Sequence, residues 1–211
     1  MKNFKRILAA TCLLAGIFAE AARAGGCSPI LLDLANDGIH LGDAGVGVYF
    51  DVNADGVRDH VQWVRRGGDE GFLALDRDGN GVVDDGAELF GVGTPLILDG
   101  GSAPNGFVGL AQYDSRQLGG NDDGLISDAD AIWPQLRIWV DANADGVSTA
   151  SEMRTLKSYG ITALETIPRI RKFVDPAGNV IPYWAWAQRA RSGHLLMVDV
   201  FFRQLPKVSG P

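Results

Sequence analysis

One short unit recurs along this chain, and it constrains the possible folds more than any other feature of the sequence. In each copy a brief apolar run ends in Asp, alternating Asp and Asn residues follow, and Gly and a small apolar residue complete the unit. Clear copies begin at Asp51, Asp76 and Asp141, a short copy begins at Asp33, and an interrupted copy begins at Asp114. Clustered carboxylates repel one another unless a cation neutralises them, so the repeat predicts a fold organised around metal-binding loops.

The spacing within the unit is that of a Ca²⁺ ligand code. Ca²⁺ takes about six to eight oxygen ligands, and the twelve-residue EF-hand loop supplies them from positions 1, 3, 5, 7, 9 and 12. Gly at position 6 allows the sharp turn of the backbone, and position 7 contributes a carbonyl oxygen. Residues 141–152 satisfy every position, with Gly146 at the turn. The predicted ligands of this loop are Asp141, Asn143, Asp145, Val147, Thr149 and Glu152.

Two other copies match most of the code. The predicted ligands of the first are Asp76, Asp78, Asn80, Val82, Asp84 and Glu88. Glu88 falls at position 13 of its loop, so an extra residue, Gly86, has to bulge for Glu88 to reach the ion. The predicted ligands of the second are Asp51, Asn53, Asp55 and Asp59. Position 12 of this loop is Gln62 within a predicted strand, so the smaller number of carboxylates predicts weaker binding.

The remaining copies depart further from the code. Residues 116–120 interrupt the copy that begins at Asp114, and the ligand spacing is restored only if this insertion loops out. The predicted ligands are then Asp114, Asn121, Asp123 and Asp130. Because Asp is shorter than Glu, a closing Asp favours a tighter site that also tolerates Mg²⁺. The copy from Asp33 has Ala at positions 3 and 12, so it is either a metal-free turn or lends Asp33 and Asp37 to a neighbouring site.

The sequence around the loops predicts an α+β fold of short strands and short helices, with an antiparallel β-sheet at the C-terminus. Apolar, β-branched and aromatic residues lead into most loops, which favours strands where a conventional EF-hand has its first helix. Short helices are predicted after the loops, over residues 86–90, 107–113, 128–133 and 151–159. Residues 162–174 and 179–189 are predicted to pair around a turn containing Pro and Gly, with residues 194–202 as a third strand.

The first residues are predicted to be a transport signal. Residues 1–24 have basic residues, then an apolar segment too short to span a membrane, then small residues before Gly25. The predicted mature chain is one domain, residues 25–211, with calcium loops over 33–152 and a β region over 162–204. We expect the protein to be secreted, either extracellular or periplasmic, without a transmembrane span. Small residues also precede Cys27, so a cell-surface lipoprotein with a lipid anchor at this residue remains an alternative.

The net charge and the cysteine content limit the classes of molecule that could be partners of this protein. Residues 1–24 hold four basic residues and one acidic residue, so their removal changes the formal net charge from −7 to about −10. Such a surface argues against nucleic acid or anionic lipid as a partner. With Cys12 in the signal segment, Cys27 cannot form an internal disulfide, and a secreted domain without disulfides needs another support such as metal ions. Calcium ions are therefore the predicted partners, while a protein or glycan partner stays open.

The order of the motifs resembles a known family. The runs LDLANDG, VYFD, LDRDGNG, DGAELFG and LRIWVD follow one another within residues 29–165. They resemble the calcium-binding regions of large secreted RTX-type bacterial proteins, and especially the self-processing module of iron-regulated RTX proteins. This resemblance implies calcium-dependent folding outside the cytoplasm. In those modules, calcium-induced folding also drives cleavage of an Asp-Pro bond immediately before the domain, whereas Ser28 precedes Pro29 here.

The sequence as a whole favours a secreted calcium-binding protein whose ions stabilise the fold, and not an enzyme. Almost every clustered acid already occupies a loop position, and His40, His60 and His194 have no Ser or Cys partner in a recognisable nucleophile motif. Ser28 supplies no carboxylate to attack the bond before Pro29, which disfavours self-processing. A calcium-dependent self-processing module and a calcium-dependent adhesin remain the alternatives.

Overall fold

The structure is a computed structural model that describes residues 28–191 and 193–207. The predicted signal segment and Cys27 lie outside these residues. The described chain forms β1 (Ile30–Asp33), β2 (Gly47–Phe50), β3 (Asp59–Gln62), β4 (Glu70–Leu75), β5 (Leu125–Ser127), β6 (Leu136–Trp139), β7 (Met153–Thr155), β8 (Ile161–Glu165), β9 (Arg169–Val174), β10 (Val180–Arg189) and β11 (His194–Phe201). Its α-helix is α1 (Gly106–Ala111), and its 3-10 helices are Gln112–Asp114, Arg116–Leu118, Trp133–Gln135 and Leu156–Tyr159.

Nine of the strands form one antiparallel sheet. Their order is β5-β8-β10-β11-β1-β4-β6-β7, and β9 pairs with the first half of the long strand β10. The first strand lies in the middle of this sheet, because Leu31 is paired with Val198 of β11 on one side and with Phe72 of β4 on the other. Strands β2 and β3 form a separate hairpin. The first and last strands of the described chain, β1 and β11, are therefore paired at the centre of the main sheet.

The main sheet has two apolar faces, because successive residues of a strand point to opposite sides. One face is covered by α1, whose Phe107 and Leu110 belong to the same buried cluster as Ile30. The opposite face is covered by the β2–β3 hairpin, and its buried rings are Phe50, Trp63, Phe72, Trp139 and Phe202. The ring centroids of Trp63 and Phe72 are 4.7 Å apart, a distance at which aromatic contacts are favourable.

The predicted α+β fold class is wrong, because most segments after the loops form turns or strands in place of helices. Helix α1, six residues long, is the single α-helix that the described residues contain, and it overlaps the predicted segment 107–113. Residues 86–90 form turns, bends and an isolated bridge at Leu89, residues 128–132 form turns and a bend, and residues 151–159 contain β7 and a 3-10 helix. Strand β7 pairs with β6 across the Asp141 loop. A short exit segment satisfies its backbone better in such a ladder than in a helix of one or two turns.

The strands predicted at the C-terminus belong to the main sheet and do not form one of their own. Strands β9 and β10 make the hairpin expected around residues 175–178, where the N–H of Asp175 donates to the carbonyl of Asn179 at 3.0 Å. Strand β11 follows β10, but its other edge pairs with β1. Among the described residues, no helix is long and apolar enough to cross a membrane.

Candidate metal centres

All five predicted loops share one unusual backbone conformation. The residue at position 4 of each loop has a positive φ: Asn36 62°, Ala54 57°, Gly79 78°, Asp122 62° and Ala144 52°. Four of these are not glycine, and they are all the non-glycine residues with positive φ in the part of the chain that the structure describes. A residue with a Cβ loses roughly 1–2 kcal/mol in this conformation. The five loops are therefore the same structural unit, and four of them keep a residue with a Cβ in a conformation that usually favours glycine.

In the loop from Asp141, the side chains at positions 1, 3 and 5 converge. The N–H groups of Asp145 and Gly146 donate to the two carboxylate oxygens of Asp141, at 3.2 and 2.8 Å. The side-chain amide of Asn143 donates to Asp145 at 2.8 Å, and Asp145 also accepts from the N–H of Val147 at 2.8 Å. These contacts hold two carboxylates and an amide side by side at the start of the loop.

The loop from Asp51 repeats these contacts but is closed differently. The N–H groups of Asp55 and Gly56 donate to Asp51 at 3.1 and 2.8 Å, and the Asn53 amide donates to Asp55 at 3.0 Å. Asp59 at position 9 is the first residue of β3. Gln62 at position 12 is fully buried, and its side chain donates to the carbonyl of Asp43 at 3.0 Å, away from the loop.

The interrupted loop from Asp114 has the same geometry despite its insertion. The N–H groups of Asp123 and Gly124 donate to Asp114 at 3.1 and 2.8 Å, and the Asn121 amide donates to Asp123 at 2.9 Å. The insertion loops out as predicted, through the 3-10 helix Arg116–Leu118. A Cβ on Gly120 would lie 2.2 Å from the carbonyl of Asp114, so glycine is required where the insertion returns to the loop.

Two acids at position 12 close their loops in the same way. Glu152 accepts a hydrogen bond from the N–H of Thr149 at position 9, at 3.1 Å. Asp130 accepts from the N–H of Ser127, the corresponding residue of the interrupted loop, at 2.7 Å. The equivalence of these two contacts supports the register assigned to the interrupted loop.

Asp130 also offers an oxygen that the protein leaves unsatisfied. Its side chain is 3% exposed, and its Oδ1 has no hydrogen-bond partner among the described residues. Burial raises the pKa of Asp130, and the carboxylates of Asp114 and Asp123 raise it further. A buried carboxylate with an orphaned oxygen next to two other acids fits a bound cation, which would satisfy the oxygen and lower the repulsion.

The loop from Asp76 is a variation on the same unit. The N–H groups of Gly79 and Gly81 donate to Asp76 at 2.8 and 3.0 Å. The Asn80 amide donates to Asp78 at 2.9 Å and to Asp84 at 2.5 Å. The N–H of Val82 donates to the Asn80 side chain at 2.9 Å. Carboxylate oxygens of Asp76, Asp78 and Glu88 all lie within 4.8 Å of one another.

Glu88 reaches this loop although it stands at position 13. Its carboxylate accepts from the N–H of Asp84 at position 9 and from the N–H of Arg77, both at 2.9 Å. The extra residue that permits this is accommodated at Gly86, whose N–H donates to the carbonyl of Asp51 at 2.7 Å. A Cβ on Gly86 would lie 1.8 Å from the carbonyl oxygen of Val52. The Asp76 loop is thus packed directly on the Asp51 loop.

The loop from Asp33 gains an acid from elsewhere in the chain. The N–H groups of Asp37 and Gly38 donate to Asp33 at 3.1 and 2.8 Å, as in the other loops. Carboxylate oxygens of Asp33, Asp37 and Asp69 lie within 4.8 Å of one another. Asp69 precedes β4, and the sequence analysis did not assign it to a site. No local pattern marks it, because its relation to this loop depends on the pairing of β1 with β4.

Trp63 is a second contributor that sequence reasoning missed. Its indole N–H donates to Oδ2 of Asp141 at 2.6 Å, although the two residues are 78 positions apart. Burial raises the pKa of Asp141, and the hydrogen bonds from Gly146 and Trp63 oppose that change. The aromatic cluster under the β2–β3 hairpin therefore supports the first ligand of the Asp141 loop.

Comparison with known proteins adds two findings. The family model of the SPM domain matches residues 30–203. Over 139 residues the chain is 44% identical to the iron-regulated protein FrpA of Neisseria meningitidis serogroup C. That match covers 65% of this chain and 12% of FrpA, so the chain corresponds to a small part of this relative.

Proposed function

This chain belongs to the SPM domain family, and from that premise we propose that it binds Ca²⁺ at its recurring loops and that the bound ions stabilise its fold outside the cytoplasm. Its similarity to an iron-regulated protein of the RTX family supports a related function. The ligand code of the loops supports calcium, and the predicted signal segment supports secretion.

The observation that carries this proposal is the common geometry of the five loops. Position 4 has a positive φ in each, although Asn, Ala, Gly and Asp occupy it in different copies. The interrupted loop from Asp114 keeps this geometry because the inserted residues 116–120 loop out of it. Four of the five copies hold a residue with a Cβ in this conformation. A cation that takes oxygens from positions 1, 3 and 5 needs this turn, which supports the proposal.

The chemistry of the donors favours Ca²⁺ over other common metals. The side chains that converge in the loops are carboxylates and amides, which are hard oxygen ligands. Zn²⁺ and Cu²⁺ sites favour Cys or His, and neither residue type occurs at a predicted ligand position. The closing Asp130 makes the interrupted loop the one that best suits the smaller Mg²⁺.

Bound ions would stabilise the sheet because the loops connect its strands. Glu152 immediately precedes β7, and its carbonyl accepts from the N–H of Val140 at 3.1 Å beside the end of β6. An ion that contacts both Asp141 and Glu152 therefore fixes the β6–β7 hairpin. A ligand present at about a hundred times its Kd contributes about 2.7 kcal/mol per site to the free energy of unfolding.

We propose further that the protein itself is not an enzyme. The clustered acids are accounted for by loop positions, and Ser28 stands before Pro29 where the resembled modules have the attacking Asp. Calcium addition is therefore expected to change the fold and to leave the chain intact.

The test is a calcium titration of the chelator-treated chain. Calorimetry should detect saturable binding of two or more ions, near-ultraviolet circular dichroism should gain signal, and denaturing gels should show one unchanged band. Asp141→Asn should remove one ion, whereas the matched variant Asp99→Asn changes an exposed acid outside the loops and should bind as the parent does. New fragments would instead favour self-processing, and a chain that binds no calcium would overturn the proposal.

A further inference from the structure

A groove of about 500 Å³ lies on the main sheet where the cover of the β2–β3 hairpin ends. Ile181 of β10 and Val198 of β11 are buried in the cluster beneath that hairpin. At other positions of the same two strands, Trp184, Trp186 and Leu196 are only partly buried. The lining of the groove includes Ile39, Arg171, Phe173, Trp184, Trp186 and Leu196. Part of this apolar face is therefore left without a cover from the described chain.

Strand β9 borders the groove and has an unpaired edge. Among the described strands it pairs with β10 alone, so the backbone groups on its other side have no strand partner. All six of its residues are exposed. Phe173 lies opposite Ile181 and Arg169 opposite Trp184, so both side chains are on the groove face. An extended peptide can add to such an edge as a further strand and place alternate side chains in the adjoining groove.

Exposed apolar side chains are concentrated on this edge. Ile167, Ile170, Phe173 and Val174 are between 50% and 74% exposed, although they lie close together in the sequence. Contiguous apolar surface of this kind is typical of a surface that contacts a partner. Charged residues alone are enough to keep a free edge from pairing at random, so an edge with that purpose does not need these apolar side chains.

The charge of β9 is opposite to that of the whole chain. The strand contains three basic residues and no acid, whereas the formal net charge of the sequence is −7. The acids next to the strand are already engaged: Glu165 accepts from Nη1 of Arg169 at 2.6 Å, and Asp175 accepts from the N–H of Asn179 at 2.8 Å. Among the described residues, no acid pairs with Arg171. Arg171 therefore offers the groove an uncompensated positive charge.

The aromatic wall of the groove is held in place by its neighbours. The guanidinium carbon of Arg169 lies 4.9 Å from the centroid of the Trp184 ring, a cation–π distance. The rings of Trp184 and Trp186 meet edge to face, with their centroids 5.4 Å apart. Partly exposed tryptophans beside an unpaired arginine are the residue types that carry most of the binding energy at protein interfaces.

Charge also distinguishes between the possible occupants. A second copy that paired β9 with β9 would bring like charges together, which is unfavourable across a strand pair. Residues 1–27, outside the described range, hold four basic residues and one acid, and residues 208–211 hold no charged residue. These segments supply no net negative charge, so the complementary occupant is an acidic segment of another protein.

We propose that β9 and the adjoining groove bind an extended acidic segment of a partner protein, which adds to the free edge of β9 as a further strand. Main-chain hydrogen bonds to β9 hold the segment, a carboxylate pairs with Arg171, and an apolar side chain packs against Phe173 and Trp186. These three residues belong to none of the predicted calcium loops, so this interaction is separate from the calcium binding proposed above.

The test measures peptide binding to the full chain in the presence of calcium. The probe is a fluorescein-labelled peptide of about six residues that alternates glutamate with valine and phenylalanine, and its matched control has lysine in place of glutamate. Fluorescence polarisation should show saturable binding of the glutamate peptide and at least about tenfold weaker binding of the lysine peptide. Hydrogen exchange should show protection of amides within residues 169–174 when the glutamate peptide is bound, because an added strand accepts their hydrogen bonds.

Reversing one charge separates recognition from loss of folding. Arg171→Glu should weaken binding of the glutamate peptide by about tenfold or more and should bind the lysine peptide more tightly than the parent does, a gain that unfolding does not produce. Phe173→Ala should weaken the glutamate peptide while far-ultraviolet circular dichroism stays unchanged. Arg154→Glu is the matched control, because Arg154 is an exposed arginine on β7, another edge strand, and it should bind both peptides as the parent does.

Three results would overturn the proposal. The first is a folded parent that binds neither peptide, and the second is binding that Arg171→Glu leaves unchanged. The third is that vesicles containing phosphatidylglycerol bind the chain, or that sedimentation shows a dimer, while the glutamate peptide does not bind. A membrane surface or a second copy would then be the occupant of the groove. None of these results changes the outcome of the calcium titration, so the proposed function is tested separately.

Discussion

Replacing Asp199 with Asn should remove a large part of the pH dependence of folding stability. Asp199 lies on β11 between Ile30 and Tyr183 of the neighbouring strands, and it is fully buried. Its Oδ2 accepts a hydrogen bond of 2.9 Å from the N–H of Gly106 at the start of α1. Burial raises the pKa of Asp199 to about 7, and the hydrogen bond from Gly106 only partly opposes this. Asn can still accept that hydrogen bond, so the variant isolates the charge.

The sign and size of the effect follow from the two pKa values. An unfolded chain releases the proton near the ordinary value of 3.8, whereas the folded chain keeps it until about 7. The folded state of the parent therefore binds more protons between these values, and its stability falls as the pH rises through them. Each pKa unit corresponds to about 1.4 kcal/mol, so the parent loses about 3 kcal/mol between pH 4 and pH 7 from this group, and the loss approaches about 4 kcal/mol at pH 8. The Asp199→Asn variant has no titrating group at this position, so its unfolding free energy does not show this loss.

The assay is denaturant unfolding of parent and variant in chelator at several pH values. The difference in unfolding free energy, variant minus parent, should increase by up to about 4 kcal/mol from pH 4 to pH 8 and stay constant above that. Titration of the loop carboxylates cancels in this difference. Asp99→Asn, an exposed acid in a turn, should give a difference without pH dependence. A flat difference for Asp199→Asn as well would refute the claim that burial controls this group.

Three further changes test how the loops are supported. Trp63→Phe removes the donor to buried Asp141 and should lower the unfolding free energy in chelator by about 1.5–3 kcal/mol, measured with denaturant; an unchanged value would show that this hydrogen bond does not stabilise the fold. Gly86→Ala places a Cβ against the carbonyl of Val52, so it should cost at least about 2 kcal/mol; unchanged thermal unfolding would contradict the packing of the two loops. Glu88→Gln weakens the closing ligand at position 13 and should lower the calorimetric affinity of one calcium site, whereas an identical isotherm would exclude Glu88 as a ligand.

The contiguous loops were the predictable part of this molecule, because their geometry depends on residues within a dozen positions. The insertion before Asn121 loops out, and Glu88 bonds to its loop from position 13, which are the arrangements that the predicted ligand positions need. Both follow from the local requirement for oxygens at fixed spacing around a turn. Whether ions occupy these positions stays a prediction for the titration.

The fold class was not predictable in the same way, because it depends on which segments find a pairing partner. Residues 153–155 follow a complete EF-hand ligand code, after which a helix is the usual continuation. They form β7 instead, with Trp139 of β6 paired to Met153. Met, Arg and Thr together have no strong preference for strands, so the composition of this segment does not predict β7. Residues 153–155 form a strand because the edge of β6 is available for pairing, and that edge exists only once the sheet has formed.

The segment between β3 and β4 shows why local ligand codes describe two of the candidate sites incompletely. At one end Trp63 donates to Asp141, and further along the N–H of Gly67 donates to the carbonyl of Ala142 at 2.8 Å. At the other end of this segment, Asp69 accepts a hydrogen bond from the N–H of Ala35 in the loop after β1. The same short connection therefore contacts two loops that are more than a hundred residues apart in the sequence. Since both loops contact one piece of backbone, the proposed function predicts that an ion bound at either loop would favour the arrangement that the other loop requires.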